Sequence, residues 1–327
     1  MPVLVADVGA TKTFLALASC DAGKVLLQEA RRYPSASYGG LEEVLDAYAQ
    51  DIEPLGLALP PRLAAAVAGP VENEVVRTTN LPWVVDARSL RSRFPQTILL
   101  NDLEAAGWGL AAVHPQDLLM LHQGRQNMDS RTSSLFVILG VGTALGQAQG
   151  VWGEEITLVF PSEGGHVDFA PTDGLQAELL FWMQKRFAHV SVERLVSGMG
   201  IFALWEFFCE RKGRAIPPHE GLGSGDAVSK AAGQGDEEAA QALMLFARLL
   251  GQHAGNVALS LLPAKGIFLT GGAAISTMAH LQGRGFLEGF RFKGRMERVA
   301  ESIPVSLVTE EHLGAKGAAT CAARRFG

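Results

Sequence analysis

The sequence predicts an α/β fold built in two parts. Three observations carry this. Short apolar runs of strand length interleave with amphipathic helical segments along the whole chain. At 327 residues the chain is long for a single core. A strand–turn–strand pattern at its start recurs at 134–150.

In chain order, VLVADVG (3–9) and TFLALAS (13–19) are apolar enough for buried strands. Only GATK separates them, which predicts a β-hairpin with Gly9 and Thr11 in its turn. Leu41, Val44, Leu45, Tyr48 and Ile52 recur at helical spacing, so 41–52 is a helix. LAAAVAG (63–69) is a strand ending at Gly-Pro, Asp86 caps a short helix, and TILLN (97–101) is the next strand. SLFVILGVGTALGQAQG (134–150) repeats the opening with a turn at Gly142-Thr143, and reads as an internal duplication. Helices are expected near 174–188 behind Asp173, over 199–212, and over 236–262 behind Asp236 and stopped by Pro263. GIFLTGG (266–272) is a strand running into paired glycines, IPVSLVT (303–309) is a strand, and LGAKGAATCAARR is a final helix. The boundary between the parts is placed near 112.

Composition narrows the function. Apolar residues make up 48% and charged residues 19%, as in a globular protein. The net charge of −6 argues against nucleic acid, and the one basic cluster, RFKGRMERVAE from Arg291, alternates with apolar residues as a solvated helix face does. The three cysteines, Cys20, Cys209 and Cys321, are far apart and form no C-x-x-C pair, which fits a reducing cytoplasm. The N-terminus lacks a basic leader and Asp7 interrupts its apolar run, so no signal peptide is expected. No stretch of about 18 uncharged apolar residues predicts a membrane span.

Four constellations could carry chemistry. In ADVGATKT (6–13), small residues in a hairpin turn let successive N–H groups face one anion, and Asp7 just before could hold a cation that travels with phosphate. An ordinary Asx-type turn explains the same residues. In LNDLEAAG, Asn101 and Asp102 end a strand, where open α/β sheets bind ligands. One of them suffices to cap the next helix; the other could accept a hydroxyl proton. FPSEGGHVDFAP (160–171) crowds Glu163, His166 and Asp168 around a Gly-Gly. A buried histidine or a two-ligand metal fragment competes there with a sugar site, whose hydroxyls need such a mixture of acceptors and donors. In HVSVERLVSGMG, Ser191 looks like an N-cap with Glu193 in the first helical turn, either as a favourable dipole partner or as a second carboxylate for hydroxyls. Walker, dinucleotide and G-x-S-x-G motifs all fail: GVGTALG has its last glycine one place late, and GLGSG (221–225) follows no strand.

ADVGATKT, LNDLEAAG, VGTALG, FPSEGGHVDFAP, HVSVERLVSG, FLTGGA and LGAKGAA, in this order, resemble the bacterial glucokinases of the hexokinase/actin/heat-shock-ATPase superfamily over nearly the whole chain. The resemblance implies a two-lobed actin-like, ribonuclease H-like ATPase fold with a nucleotide and sugar cleft between lobes. The lobes would be 1–112 plus about 303–327, and 113–302. It implies Asp102 as catalytic base toward the sugar 6-hydroxyl, with Asn80, Asn101, Glu163, His166 and Glu193 around the sugar. It gives Gly9, Ala10 and Thr11 to the first phosphate turn, Gly142 and Thr143 to the second, Gly271 and Gly272 to adenosine, and Asp7 to Mg²⁺ through water. The expected substrates are ATP and glucose, and the expected state is a cytoplasmic homodimer without nucleic-acid or membrane partners. Ala10 and Ala144 stand where the family commonly has glycine, which leaves the backbone N–H groups in place. The cysteine-rich zinc motif of the related repressor/kinase group is absent. Rival readings are a kinase for mannose or an amino sugar, a sugar-sensing regulator, and a chaperone- or filament-type ATPase.

Overall fold

The computed structural model describes residues 2–21, 24–78, 81–124, 134–216 and 225–327. Its contacts divide the chain into two units: Met1–Asp117, Ala148–Pro161 and Glu310–Gly327 form the first, and Leu118–Gln147 with Ser162–Thr309 the second.

The first unit begins with β1 (Pro2–Val8), β2 (Lys12–Asp21) and β3 (Lys24–Pro34), followed by α1 (Leu41–Ile52) and β4 (Arg62–Val67). Next come β5 (Val71–Glu72), β6 (Val75–Arg77), β7 (Val84–Asp86), α2 (Ala87–Leu90), β8 (Gln96–Asn101) and α3 (Asp102–Gly109). The main sheet has the order β3-β2-β1-β4-β8, antiparallel from β1 to β2 and parallel across β1, β4 and β8. Leu4, Leu45, Tyr48, Trp83 and Phe94 are buried in its core. β3 was not expected. Its exposure alternates residue by residue and its outer face carries charge, so it lacks the continuous apolar run that marks β1 and β4. The small sheet β5-β6-β7 was not expected either, because strands of two or three residues show no period.

Next in the chain are β9 (Leu118–His122), β10 (Leu135–Val141), β11 (Leu145–Trp152), β12 (Ile156–Ser162), α4 (Gly174–Gln184) and α5 (Gly198–Arg211); all fall in the second unit except β11 from Ala148 onward and β12 up to Pro161, which are counted with the first. Then follow α6 (Gly225–Gly233), α7 (Glu237–Leu261), β13 (Gly266–Thr270), α8 (Gly272–Ser276), α9 (Met278–Leu281), α10 (Arg284–Arg291), α11 (Glu297–Ser302) and β14 (Val305–Val308). The order β12-β11-β10-β13-β14-β9 repeats the first sheet's order with one added edge strand. The duplication legible in one strand–turn–strand unit therefore extends to five strands. α7 is capped by the Asp236 side chain, which accepts from Ala239 N, and it closes at Leu262 in the left-handed region before Pro263. The strand at 303–309, grouped by sequence with the first lobe, pairs in parallel with β13 and belongs to the second unit.

The last helix, α12 (Leu313–Phe326), returns to the first unit and lies against α3. Contact is through backbone: a Cβ on Gly317 would overlap Ala105 O, and one on Gly109 would overlap Leu313 O. This explains the glycine and alanine content of both helices and fixes α3, whose first residue is Asp102.

Candidate active site

The first unit presents the β1–β2 turn. Val8 faces Thr13 across the hairpin, and Gly9 N donates to Lys12 O at 3.1 Å, closing Gly9, Ala10 and Thr11 into the connection. Ser35 holds this turn from behind. Its hydroxyl donates to Gly9 O at 2.8 Å and lies 3.0 Å from Thr13 Oγ1, while its N–H donates to Thr11 O at 3.1 Å. Both side chains are fully buried. The carbonyls of Gly9 and Thr11 are thus occupied, and Ala10 and Thr11 are exposed at the tip, where N–H groups can meet an anion.

Asp7, the penultimate residue of β1, is recessed beside Gly314 of α12, where a Cβ would fall 2.8 Å from Asp7 Oδ2. Burial raises the Asp7 carboxyl to about 6, the charge of Asp102 adds to the rise, and Lys12 opposes it. Two neighbouring carboxylates make an electrostatic setting that a divalent cation relieves. Among the described residues no group of three or more His, Cys, Asp or Glu could hold a metal ion. This donor set fits Mg²⁺, which takes most of its ligands from phosphate and water.

Asn101 and Asp102 separate their roles. Asn101 is the N-cap of α3: its Oδ1 accepts from Leu103 N at 2.9 Å and Glu104 N at 3.2 Å, and its Nδ2 donates to Gly69 O at 3.1 Å. Asp102 is already the first helical residue, and its Oδ1 is 3.0 Å from Leu103 N. Capping accounts for Asn101 and not for the carboxylate beside it.

The second unit brings Glu163, His166 and Glu193 together. His166 Nε2 lies 3.7 Å from Glu163 Oε2, and Nδ1 lies 4.0 Å from Glu193 Oε1. A short ladder joins the distant motifs: Phe169 N donates to Val190 O, Val192 N donates to Val167 O, both at 2.9 Å, and Asp168 bridges to Ser191. Gly165 is required because a Cβ there would fall on the backbone at Leu145 O, whereas a Cβ on Gly164 would meet only the end of the Gln147 side chain. Glu163 and His166 remain open to solvent, whereas the Glu193 side chain is only 16% exposed and accepts from Leu145 N at 3.1 Å. Asp168 leaves the cluster and pairs with His189 at 2.8 Å.

One expectation holds in position but not in kind. Ser191 stands at the N-cap position with Glu193 in the first turn, but that helix is a single 3-10 turn, Val192–Arg194, and the Ser191 side chain makes no capping hydrogen bond. The helix starts at Gly198, capped by Ser197, whose hydroxyl also donates to Glu193 O at 2.8 Å. Glu193 is therefore held by the β11 amide and not by a helix dipole. The sequence pattern S-x-E suits both readings, and only the ladder to 167–169 separates them.

Gly142 and Thr143 lie in the β10–β11 turn, closed by Gly142 N to Ala144 O at 2.9 Å. Gly198 N donates to Gly142 O at 2.7 Å, tying this turn to α5. Gly271, at φ 99°, packs on Val141, where a Cβ would fall 2.5 Å from its carbonyl oxygen; Gly272 opens α8. The second turn and the paired glycines are thus immediate neighbours. Asn80 lies outside the described residues. Ser35, Ser197 and Gly198 support the site and give no separate signal in sequence, since a serine that holds a turn from a distant strand looks like any loop serine.

The family model described as Glucokinase matches residues 4–325. A glucokinase of Nostoc punctiforme is 34% identical, the match covering 98% of this chain and 99% of the relative. The crystal structure of a glucokinase from an Antarctic psychrotroph is 29% identical and aligns with a TM-score of 0.83 over 99% of both chains. The crystal structure of a ROK family glucokinase from Streptomyces griseus, in complex with glucose and AMPPNP, shares the fold at a TM-score of 0.63 and 19% identity, covering 99% of this chain and 100% of that one.

Proposed function

The chain belongs to the glucokinase family, and on that premise we propose how its own residues carry phosphoryl transfer from ATP to glucose. It is an ATP-dependent hexose kinase with the actin-like ATPase fold. The observation that carries the assignment of the sugar site is the convergence of Glu163, His166 and Glu193 within 4.0 Å across a ladder between separate motifs. Glu193 is held largely buried while Glu163 and His166 face outward, and a sugar that supplies a hydroxyl to each of them is favoured, because an analogue lacking one leaves an acceptor unpaired.

Asp102 accepts the proton of the sugar 6-hydroxyl as that oxygen attacks the γ-phosphorus. Asn101 sets its position by holding the start of α3, and its amide adds a contact to the sugar. Ala10 and Thr11 on one turn, and Gly142 and Thr143 on the other, offer backbone N–H groups to the phosphates. Gly271 and Gly272 let adenosine approach backbone. Asp7 would hold Mg²⁺ through water, and the ion would supply neutralisation of the phosphate charge; the protein's own contribution is position and electrostatics. The family resemblance also supports a homodimer working in the cytoplasm, which sedimentation and fractionation would check. Among the described residues no helix is long and apolar enough to cross a membrane.

A coupled assay with Mg-ATP and glucose, mannose, fructose, galactose or N-acetylglucosamine, each against a no-sugar control, tests this. ADP release is expected to be highest with glucose and absent without sugar. Equal release with and without sugar would overturn the sugar site while leaving the phosphate turns standing.

A further inference from the structure

A pocket of about 340 Å³ shares His166 and Glu193 with the sugar cluster and adds Arg186, Phe187, His189 and Arg194, four side chains that the phosphoryl-transfer scheme does not use. Four of these six side chains are basic types, so the charge balance decides what the pocket accepts. Arg186 is neutralised: it lies 3.0 Å from Glu206 and 3.8 Å from Glu210, and its guanidinium stacks on Trp182. His189 is paired with Asp168. Glu193 spends one carboxylate oxygen on Leu145 N. Arg194 differs. Its guanidinium lies over the Phe187 ring at 4.1 Å, and among the described residues no carboxylate lies within ion-pair distance of it.

Stacking on Phe187 holds the guanidinium in place without consuming its N–H groups, which leaves a planar fork suited to a tetrahedral or carboxylate oxyanion. Glu193 and Arg194 both line this pocket, so an anion held by Arg194 shares it with a hydroxyl held by Glu193. We propose that Arg194 forms an oxyanion subsite contiguous with the sugar-binding residues, and that it takes the phosphate of a hexose monophosphate whose ring lies against Glu193 and His166. This inference rests on the sugar site assigned above. Free phosphate presents the same chemistry, so the two sources are separated by experiment.

The test is displacement of bound glucose, followed by calorimetry, with glucose 6-phosphate, glucose 1-phosphate and inorganic phosphate as probes. It uses the full-length wild type, Arg194→Gln and Arg194→Lys. The expected result is that the affinity for at least one hexose monophosphate, relative to glucose, falls about fivefold or more in Arg194→Gln. Arg194→Lys keeps the charge but loses the fork, and falls between. Inorganic phosphate losing the same factor while sugar phosphates do not would make free anion the occupant of the subsite. An unchanged ratio for all three probes in Arg194→Gln overturns the subsite. Wild-type protein that takes up sugar phosphate or phosphate but not glucose overturns the assigned sugar site, and is told apart by the glucose titration of the wild type alone.

Discussion

The Asp7 carboxyl, raised to about 6 by burial and then by the charge of Asp102, has opposite consequences for stability and for binding. In the unfolded chain its value is near 3.8. Between these two values the folded state binds more proton, so the free protein loses stability as pH rises from about 4 to about 6. Asp7→Asn removes that loss. The variant is expected to melt higher than wild type near pH 7.5, with the gap closing toward pH 4, while turnover with Mg-ATP falls at least about tenfold. Melting curves across pH, set beside the coupled assay, decide it; a variant that melts lower at neutral pH would show that Asp7 is not held against its own charge. Asp102→Asn is expected to cut kcat by roughly 10²–10⁴ with glucose KM changed far less. Asn101 supplies the cap of α3, so this substitution leaves the helix start intact. Wild-type kcat in that variant would remove Asp102 as the base.

Elements transmit position to these residues through glycine contacts. Gly165→Ala drives a Cβ into Leu145 O on β11, and the turn bearing Glu163 and His166 must shift to admit it. Glucose KM is expected to rise several-fold more than ATP KM, which steady-state kinetics with each substrate varied would show. Gly317→Ala inserts a Cβ between α12 and α3 at Ala105 O. Forcing apart two backbones in contact costs about 1–3 kcal/mol, and Asp102 moves with α3, so lower melting temperature and lower kcat are expected together. Unaltered melting would mean that the helices yield without strain. At this scale, sequence was informative where one element makes its own pattern. The α7 stripe, the Asp236 cap and Pro263 mark a helix directly. It was uninformative where a partner strand supplies the reason, as for β3 and for the 3-10 turn at Glu193.

At the scale of the molecule, each unit has its own buried core, one around Tyr48 and Phe94 and one around Trp205 and Phe246. Each carries residues assigned to ligands. Glucose binds the native state alone, so at a hundredfold excess over its dissociation constant it stabilises by about 2.7 kcal/mol. For a chain of this length that is a rise in melting temperature of roughly 4 °C. Galactose at the same concentration is expected to give a smaller shift in a thermal melt. An equal shift would remove hydroxyl matching as the source of sugar choice.

Sequence alone determined the α/β class, the two hairpin turns and the order of the motifs, and it nominated the residues proposed for the site. These are local matters: strand length, helical period, turn composition and spacing are written in neighbouring residues. The tertiary structure decided which of two adjacent residues caps a helix. It also decided that Glu193 is fixed by a β-strand amide and that Asp168 turns to His189. Finally, it extended the internal repeat to five strands and put the strand before the last helix in the second unit. The cap turns on side-chain geometry that two adjacent polar residues share in sequence, and the others turn on which distant group lies within reach; pairing between segments far apart in sequence leaves no periodic trace in either of them.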